Sequence, residues 1–131
     1  MTTPMKDVRK RLQQWICQME ETVAEMSSRT ASLAARERRL VAEMESARRL
    51  GEKWSLRVMK AMEIGDDQLA RDALAQKEAY EKRVADSEEL IRSTRENYAL
   101  LARRIEELDA KLVRAKRRLE TISRQEHPAD H

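Results

Sequence analysis

Few side chains in this sequence are of the kinds that act as nucleophiles, act as proton donors near neutral pH, or bind transition metals. The single cysteine is Cys17, and the two histidines are His127 and His131. These histidines flank Asp130, but Pro128 interrupts any helix that would hold the three together. We interpret them as part of a frayed terminus, and Cys17 as a small hydrophobe beside an apolar stripe. With no Gly-rich phosphate loop, serine elbow or C-x-x-C pair, the sequence predicts no enzyme, no cofactor and no bound metal.

The composition indicates long helices. Charged residues make up 39% of the 131 residues and aromatic residues 3%, with only two glycines and two prolines. A strand-and-turn fold needs more frequent Gly and Pro, whereas this mixture is typical of coiled coils. There is no apolar run long enough to span a membrane and no signal-peptide stretch. One cysteine allows no disulfide framework, which fits a reducing compartment, so we expect a cytoplasmic protein.

Proline and glycine divide the chain into two helices. Pro4 follows two threonines and marks a first helical turn. The segment 65–67 (Gly-Asp-Asp) is the one convincing break, whereas Gly51 lies inside a continuing helical pattern. We therefore predict an all-α fold, a long antiparallel two-helix coiled-coil hairpin over residues 1–126. The expected helices cover about 4–63 and 68–125, with a turn at 64–67 and a disordered tail at 127–131.

Apolar residues recur at alternating steps of three and four, which is the spacing of the a and d positions of a heptad repeat. We call the row of a and d positions the seam. In the first helix the row that precedes Val23 consists of Val8, Leu12, Trp15 and Met19. The step of four residues from Met19 to Val23 follows another step of four, which predicts a stutter in the heptad pattern. The seam residues that we single out are Leu33, Leu40, Met44, Gly51, Tyr80, Ile91, Tyr98, Leu101, Leu108 and Leu112.

Folding the chain about Gly65 pairs positions whose numbers add up to about 131. Gly51 then faces Tyr80, so a missing side chain lies opposite a large one. Glu37 faces Thr94, which predicts a polar register pin or a hydrated layer. Two arms of about 58 residues, at about 1.5 Å per residue, would form a rod roughly 85–90 Å long.

Large apolar residues off the seam predict that hairpins pack on one another, since an isolated two-helix hairpin buries little surface. They are Met5, Ile16, Leu50, Leu56, Met59, Ile64, Leu74, Leu90 and Leu100.

Charge is distributed unevenly along the predicted hairpin. Residues 1–15 and 103–124 lie side by side and together carry about +7, whereas residues 51–81 carry five basic and seven acidic residues. This pattern fits a solvated surface without a role, packing between copies, or attraction to anionic lipid. Nucleic acid is not expected, because no aromatic residues interleave with the basic ones. The candidate residues for lipid binding or assembly at the basic end are Lys6, Arg9, Lys10, Arg11, Arg114, Lys116, Arg117 and Arg118.

The segment 52–77 (EKWSLRVMKAMEIGDDQLARDALAQK) resembles the turn region of the phage shock protein A family, which includes the vesicle-inducing protein of plastids. A segment of the first helix, 16–23 (ICQMEETV), is also similar, and the resemblance extends from about Val8 to Ile122. The matching features near the turn are Trp54, Ala61-Met62, Gly65-Asp66, Leu69-Ala70-Arg71, Ala73-Leu74 and Lys77.

The resemblance implies a bacterial membrane-stress protein with an ESCRT-III-like helical fold that assembles with itself or with full-length family members at an anionic inner membrane. We expect a short form, without the family's N-terminal amphipathic helix and C-terminal helices. One alternative is a regulatory module that inhibits an AAA+ transcriptional activator, an ATPase that the family contacts through a tryptophan matching Trp54. Another is a generic coiled-coil spacer, in which Trp54 packs in the seam. The candidate partner interface consists of Trp54, Arg57, Asp66, Asp67 and Arg71.

Overall fold

The structure, a computed structural model, describes residues 3–126 and contains two α-helices. Helix α1 covers Thr3–Ile64 and helix α2 covers Asp67–Glu126. Gly65 and Asp66 are the only residues in this range outside a helix, which confirms the predicted all-α hairpin fold. The expected tail at 127–131, with both histidines, lies outside the described residues.

The helices pack in two compact units. The turn unit is Leu33–Tyr98, and the terminal unit combines Met1–Ser32 with Ala99–His131. The structure describes all of the turn unit, and residues 3–32 and 99–126 of the terminal unit.

The turn is closed by hydrogen bonds that the sequence supplies locally. Gly65 has a φ of 73°, and its N–H donates to the carbonyl of Met62 at 3.1 Å. The N–H of Asp66 donates to the carbonyl of Ala61 at 3.0 Å, so the pair satisfies the last carbonyls of α1 in a Schellman motif. The Asp66 carboxylate then accepts the N–H of Leu69 at 3.1 Å and caps α2.

Small residues allow the helices of the turn unit to approach closely. A Cβ built at Gly51 would lie 3.5 Å from the Cβ of Tyr80, so Gly51 lies against the tyrosine as the fold about Gly65 predicts. Nearer the turn, Ala61 and Ala73 are almost fully buried. The other buried apolar residues of this unit are Leu40, Ala47 and Ile91.

The predicted stutter in α1 is wrong. Ile16, expected off the seam, is 6% exposed, whereas Val8 is 45% exposed and Trp15 is half-buried. The seam residues therefore continue toward the N-terminus through Ile16 and Arg9 at alternating steps of three and four, without a stutter. Arg9 occupies this seam position because its guanidinium Nη1 lies 2.6 Å from the Oε2 of Glu126. The pattern of apolar residues alone favoured Val8 over the charged Arg9.

The expected polar contact between Glu37 and Thr94 is replaced by two separate interactions. Thr94 is buried, and its hydroxyl donates to the carbonyl of Leu90 one turn earlier in α2 at 2.7 Å. The Glu37 carboxylate instead accepts the Nε–H of Arg95 at 3.1 Å. Each polar group thus finds a partner without a bond between Glu37 and Thr94, because a threonine can bond back to its own helix.

Candidate interaction site

A groove between the two helices lies next to the turn, and we call it the Trp54 groove. Its volume is about 480 Å³, and both helices of the turn unit contribute to its walls. The floor is apolar and the rims are charged or polar, which is the composition of a surface that binds another molecule. It is lined by Trp54, Arg57, Lys60, Ala61, Ile64, Leu69, Asp72, Ala73 and Gln76.

The groove exists because small residues form its floor. Ala61 on α1 and Ala73 on α2 bring the helices together without filling the space above their methyl groups. Ile64 is the last residue of α1 and is 73% exposed. Leu69 stands at the start of α2 and is also exposed. Two large apolar side chains therefore border a groove that the hairpin itself leaves open.

A neighbouring arginine, Arg57, lies over the ring of Trp54. The guanidinium carbon of Arg57 lies 4.4 Å from the centre of the indole ring, within the range of a cation–π interaction. Lys77, the residue predicted opposite Trp54, has its Nζ 3.7 Å from the Oε1 of Glu81. Trp54 is half-buried at the groove, and the exposed Arg57 lies over its ring.

The structure separates the other predicted partner-interface residues from the groove. Asp66 caps α2, and Asp67 and Arg71 are exposed on the first turns of that helix. Only Trp54 and Arg57 of the predicted set line the Trp54 groove.

Sequence reasoning missed several residues of the groove. It did not single out Lys60, Asp72 or Gln76, because charged and polar residues off the seam are the normal surface of a coiled coil. Leu69 entered only through the family resemblance. The signal that could have found them is their spacing, since each lies three or four residues from another residue of the groove.

The predicted basic end is divided between paired and unpaired cations. Arg9 is paired with Glu126, and the Nζ of Lys116 lies 3.0 Å from the Oε2 of Glu20. Across the described parts of the terminal unit there are thirteen basic and nine acidic residues, a net charge of +4, which is lower than the segment count of +7. The following predicted cations are exposed and form no ion pair among residues 3–126: Lys6, Lys10, Arg11, Arg114, Arg117 and Arg118.

The ten singled-out seam residues differ in burial. Tyr98 is 44% exposed. Leu33, Met44, Tyr80 and Leu101 are half-buried, and the buried ones are Leu40, Gly51, Ile91, Leu108 and Leu112.

The described helices bear on metal binding and on membrane spanning. Residues 3–126 contain no group of three or more His, Cys, Asp or Glu side chains placed to hold a metal ion. Neither α1 nor α2, over the lengths described, is apolar enough to cross a membrane.

The sequence model of the PspA/IM30 family matches residues 2–131. This chain belongs to the PspA/IM30 family. The match confirms the resemblance to the phage shock protein A family, and it extends over almost the whole chain.

Three curated relatives of this PspA/IM30 chain carry the name membrane-associated protein Vipp1. The chloroplastic protein of Oryza sativa is 25% identical over 117 residues, covering 89% of this chain and 37% of the relative. The Synechocystis protein is 27% identical over 85% of this chain and 44% of its own length. The Nostoc punctiforme protein is 26% identical over 89% and 45%. This chain thus spans less than half the length of these relatives.

Proposed function

We propose that this chain is a non-catalytic, ESCRT-III-like membrane-stress protein of the bacterial inner membrane. It associates with copies of itself or with other members of the PspA/IM30 family on the cytoplasmic surface. The observation that carries the proposal is the amount of apolar surface that the two helices leave uncovered. At least twelve large hydrophobic residues are exposed among residues 3–126. Among them, Leu56, Met59 and Met62 follow one another at steps of three on α1 and so lie side by side. Exposed apolar residues that adjoin one another mark association sites.

Self-association follows from the geometry of two helices. Each helix can turn only one stripe toward the other, and here that stripe includes small residues such as Ala47, Ala61 and Ala73. Larger side chains, including Leu56, Met59 and Met62, remain in water. Their burial between hairpins would contribute about 25 cal/mol per Å² of apolar surface removed from water.

Attraction to the membrane is supported by the unpaired cations of the terminal unit. A cation near an anionic surface contributes about 1 kcal/mol. Interactions of this type are screened by salt within about 10 Å at ordinary ionic strength. Binding of one chain to the lipid surface is therefore weak and sensitive to salt. An assembly binds more strongly, because many chains contact the membrane at once.

Vesicle sedimentation tests the membrane part of the proposal. Full-length chain is centrifuged with vesicles of phosphatidylglycerol or of phosphatidylcholine, at low and high salt. We expect binding to the anionic vesicles only, and loss of most of it at high salt. Equal binding to both lipids, or binding that survives high salt, would contradict the electrostatic mechanism.

A matched pair of charge reversals locates the lipid surface. Arg117→Glu with Arg118→Glu removes two exposed cations of the terminal unit, whereas Arg38→Glu with Arg39→Glu makes the same change of net charge in the turn unit. The first variant is expected to lose vesicle binding and the second to keep most of it. Equal losses would show that net charge alone governs binding.

The Trp54 groove supports a second candidate function, the inhibition of an AAA+ transcriptional activator. A half-buried tryptophan stacked under an arginine is typical of residues that dominate binding energy at interfaces. Trp54→Ala is expected to abolish binding to a candidate activator, and Trp15→Ala, in the terminal unit, serves as the control. Unchanged affinity of Trp54→Ala would remove this candidate.

The spacer alternative is disfavoured by the family match over residues 2–131, because it required the resemblance to be coiled-coil composition alone. One experiment tests the spacer alternative directly. Scrambling residues 62–74 with the heptad positions preserved would leave the activity of a spacer intact, whereas we expect the scrambled chain to lose self-association.

A further inference from the structure

The two rims of the Trp54 groove carry opposite charges. Lys60 lies on the α1 rim and Asp72 on the α2 rim. Gly51 lies against Tyr80, and the two helices are antiparallel. Lys60 comes nine residues after Gly51 and Asp72 comes eight residues before Tyr80, so both lie at nearly the same height along the groove. They form no ion pair with each other among residues 3–126. Asp72 accepts only a hydrogen bond from Gln68, at 3.0 Å.

A second copy of the same surface is complementary to this arrangement. A rotation of 180° about an axis along the groove places α1 of one copy over α2 of the other, with both turns at the same end. Lys60 then faces Asp72 of the second copy, and Asp72 faces its Lys60, because a two-fold interface repeats every contact. At the next turn, Arg57 faces the amide of Gln76. Two ion pairs that the single chain does not form among residues 3–126 thus form between two copies.

We propose that the Trp54 groove is a self-interface, in which a second copy of this chain docks in parallel to form a local four-helix packing. The proposal rests on the self-association argued above and names the surface responsible for it. Ile64 and Leu69, exposed in one chain, become covered between the two copies. The indole of Trp54 and the methyl groups of Ala61 and Ala73 form the floor beneath them.

The same side of the turn unit continues the surface beyond the Trp54 groove. A second groove of about 420 Å³ lies along it, and its walls include Leu50 and Leu90. This continuity supports a partner that is itself long and helical. The charge of the segment disfavours an anionic membrane as the partner, since residues 51–81 contain seven acidic and five basic residues.

A charge swap tests the interface. Lys60→Glu places a carboxylate opposite Asp72 at both symmetric contacts, and Asp72→Lys places two cations together. Each single variant is expected to weaken self-association about 10-fold or more at low salt, because two attractive contacts become repulsive. The double variant Lys60→Glu/Asp72→Lys restores both pairs with reversed polarity and is expected to associate within about 3-fold of the original chain. Self-association is measured by sedimentation equilibrium.

Lys53→Glu is the matched control. Lys53 is an exposed residue one heptad before Lys60, on the same flank of α1, and the α2 residue one heptad after Asp72, on the same flank of α2, is the uncharged Ala79. Its reversal changes the net charge equally but meets no opposite charge across the groove. We expect self-association of this variant to change less than about 3-fold. Circular dichroism shows whether each variant remains helical, and Ile64→Gln, at a position already in water, tests the apolar contact without disturbing the hairpin.

The outcomes separate this proposal from the proposed function. If the original chain associates but Lys60→Glu behaves like Lys53→Glu, or the swap does not restore association, the Trp54 groove is not the interface and self-association through another surface stands. Unchanged association of Ile64→Gln would likewise overturn the groove. If the original chain remains a monomer at every concentration, both this inference and self-association are refuted. Capture of an AAA+ activator by the groove in a chain that does not associate would assign the surface to that partner instead.

Discussion

Replacing Gly51 by alanine is expected to stabilise this chain, although Gly51 is buried between the helices. A glycine inside a helix costs about 1 kcal/mol relative to alanine. The added Cβ would lie 3.5 Å from the Cβ of Tyr80, an ordinary van der Waals contact, so alanine fits without moving the tyrosine. The buried methyl adds up to about 0.8 kcal/mol. The expected gain in the free energy of unfolding is therefore about 1–2 kcal/mol.

Gly65→Ala provides the opposite case in the same chain. No atom lies within 4 Å of a Cβ at Gly65, so packing does not change. Its φ of 73° is left-handed, which costs a non-glycine residue about 1–2 kcal/mol. Alanine recovers about 0.4–1 kcal/mol of this through the lower entropy of the unfolded chain. We expect a net loss of about 1 kcal/mol.

Urea denaturation followed by circular dichroism measures both variants. Gly51→Ala should raise the urea midpoint and Gly65→Ala should lower it, with little change of slope, since the surface exposed on unfolding is similar. The reasoning would be refuted if Gly51→Ala were less stable than the original chain, because that would mean that the contact with Tyr80 has no room for a methyl group. Gly51→Leu extends the series and should destabilise by about 1–3 kcal/mol through overpacking.

Three further predictions concern the seam, the turn and the ion pair between Arg9 and Glu126. Ile16→Ala should cost about 2–4 kcal/mol of unfolding free energy in the same urea assay, clearly more than Trp15→Ala; the reverse order would restore the predicted stutter. Asp66→Ala should cost about 1 kcal/mol by removing the cap of α2, whereas Asp66→Asn should cost much less, and equal losses would mean that the cap is unimportant. Arg9→Ala should destabilise because it leaves Glu126, whose side chain is 11% exposed, without its cation. The double change of Arg9 and Glu126 to leucine should recover or exceed the original stability, and a double variant weaker than Arg9→Ala would contradict this.

Composition and a single glycine were enough to predict the fold. Gly65 is the one residue of the described chain with a positive φ, and its neighbour Asp66 caps the next helix. The alternation of three and four in α2 placed Ile91, Leu108 and Leu112 on the face that the structure buries. These features depend on local backbone preferences and on helical period, both of which a sequence expresses directly.

The errors arose where a charged or polar side chain took a position that the apolar pattern assigned to another residue. Arg9 occupies the seam in place of Val8 because Glu126, far away in the sequence, supplies its partner. Thr94 satisfies its hydroxyl within α2 and leaves Glu37 to Arg95. Such choices depend on which long side chains meet across the helices.

The Trp54 groove could not be read from periodicity for a related reason. Its floor depends on two buried alanines, Ala61 and Ala73, and its rims depend on the relative register of the two helices. The tryptophan was found through a family resemblance, and Lys60 and Asp72 only through the structure.

The mass of the chain in solution tests the central claim most directly. Size-exclusion chromatography with light scattering, at low and high salt and over a range of concentrations, reports whether the exposed apolar surfaces are covered by other copies. We predict a mass of at least twice the 15.3 kDa of one chain at low salt, growing with concentration and reduced at high salt. A mass of one chain under every condition would contradict self-association.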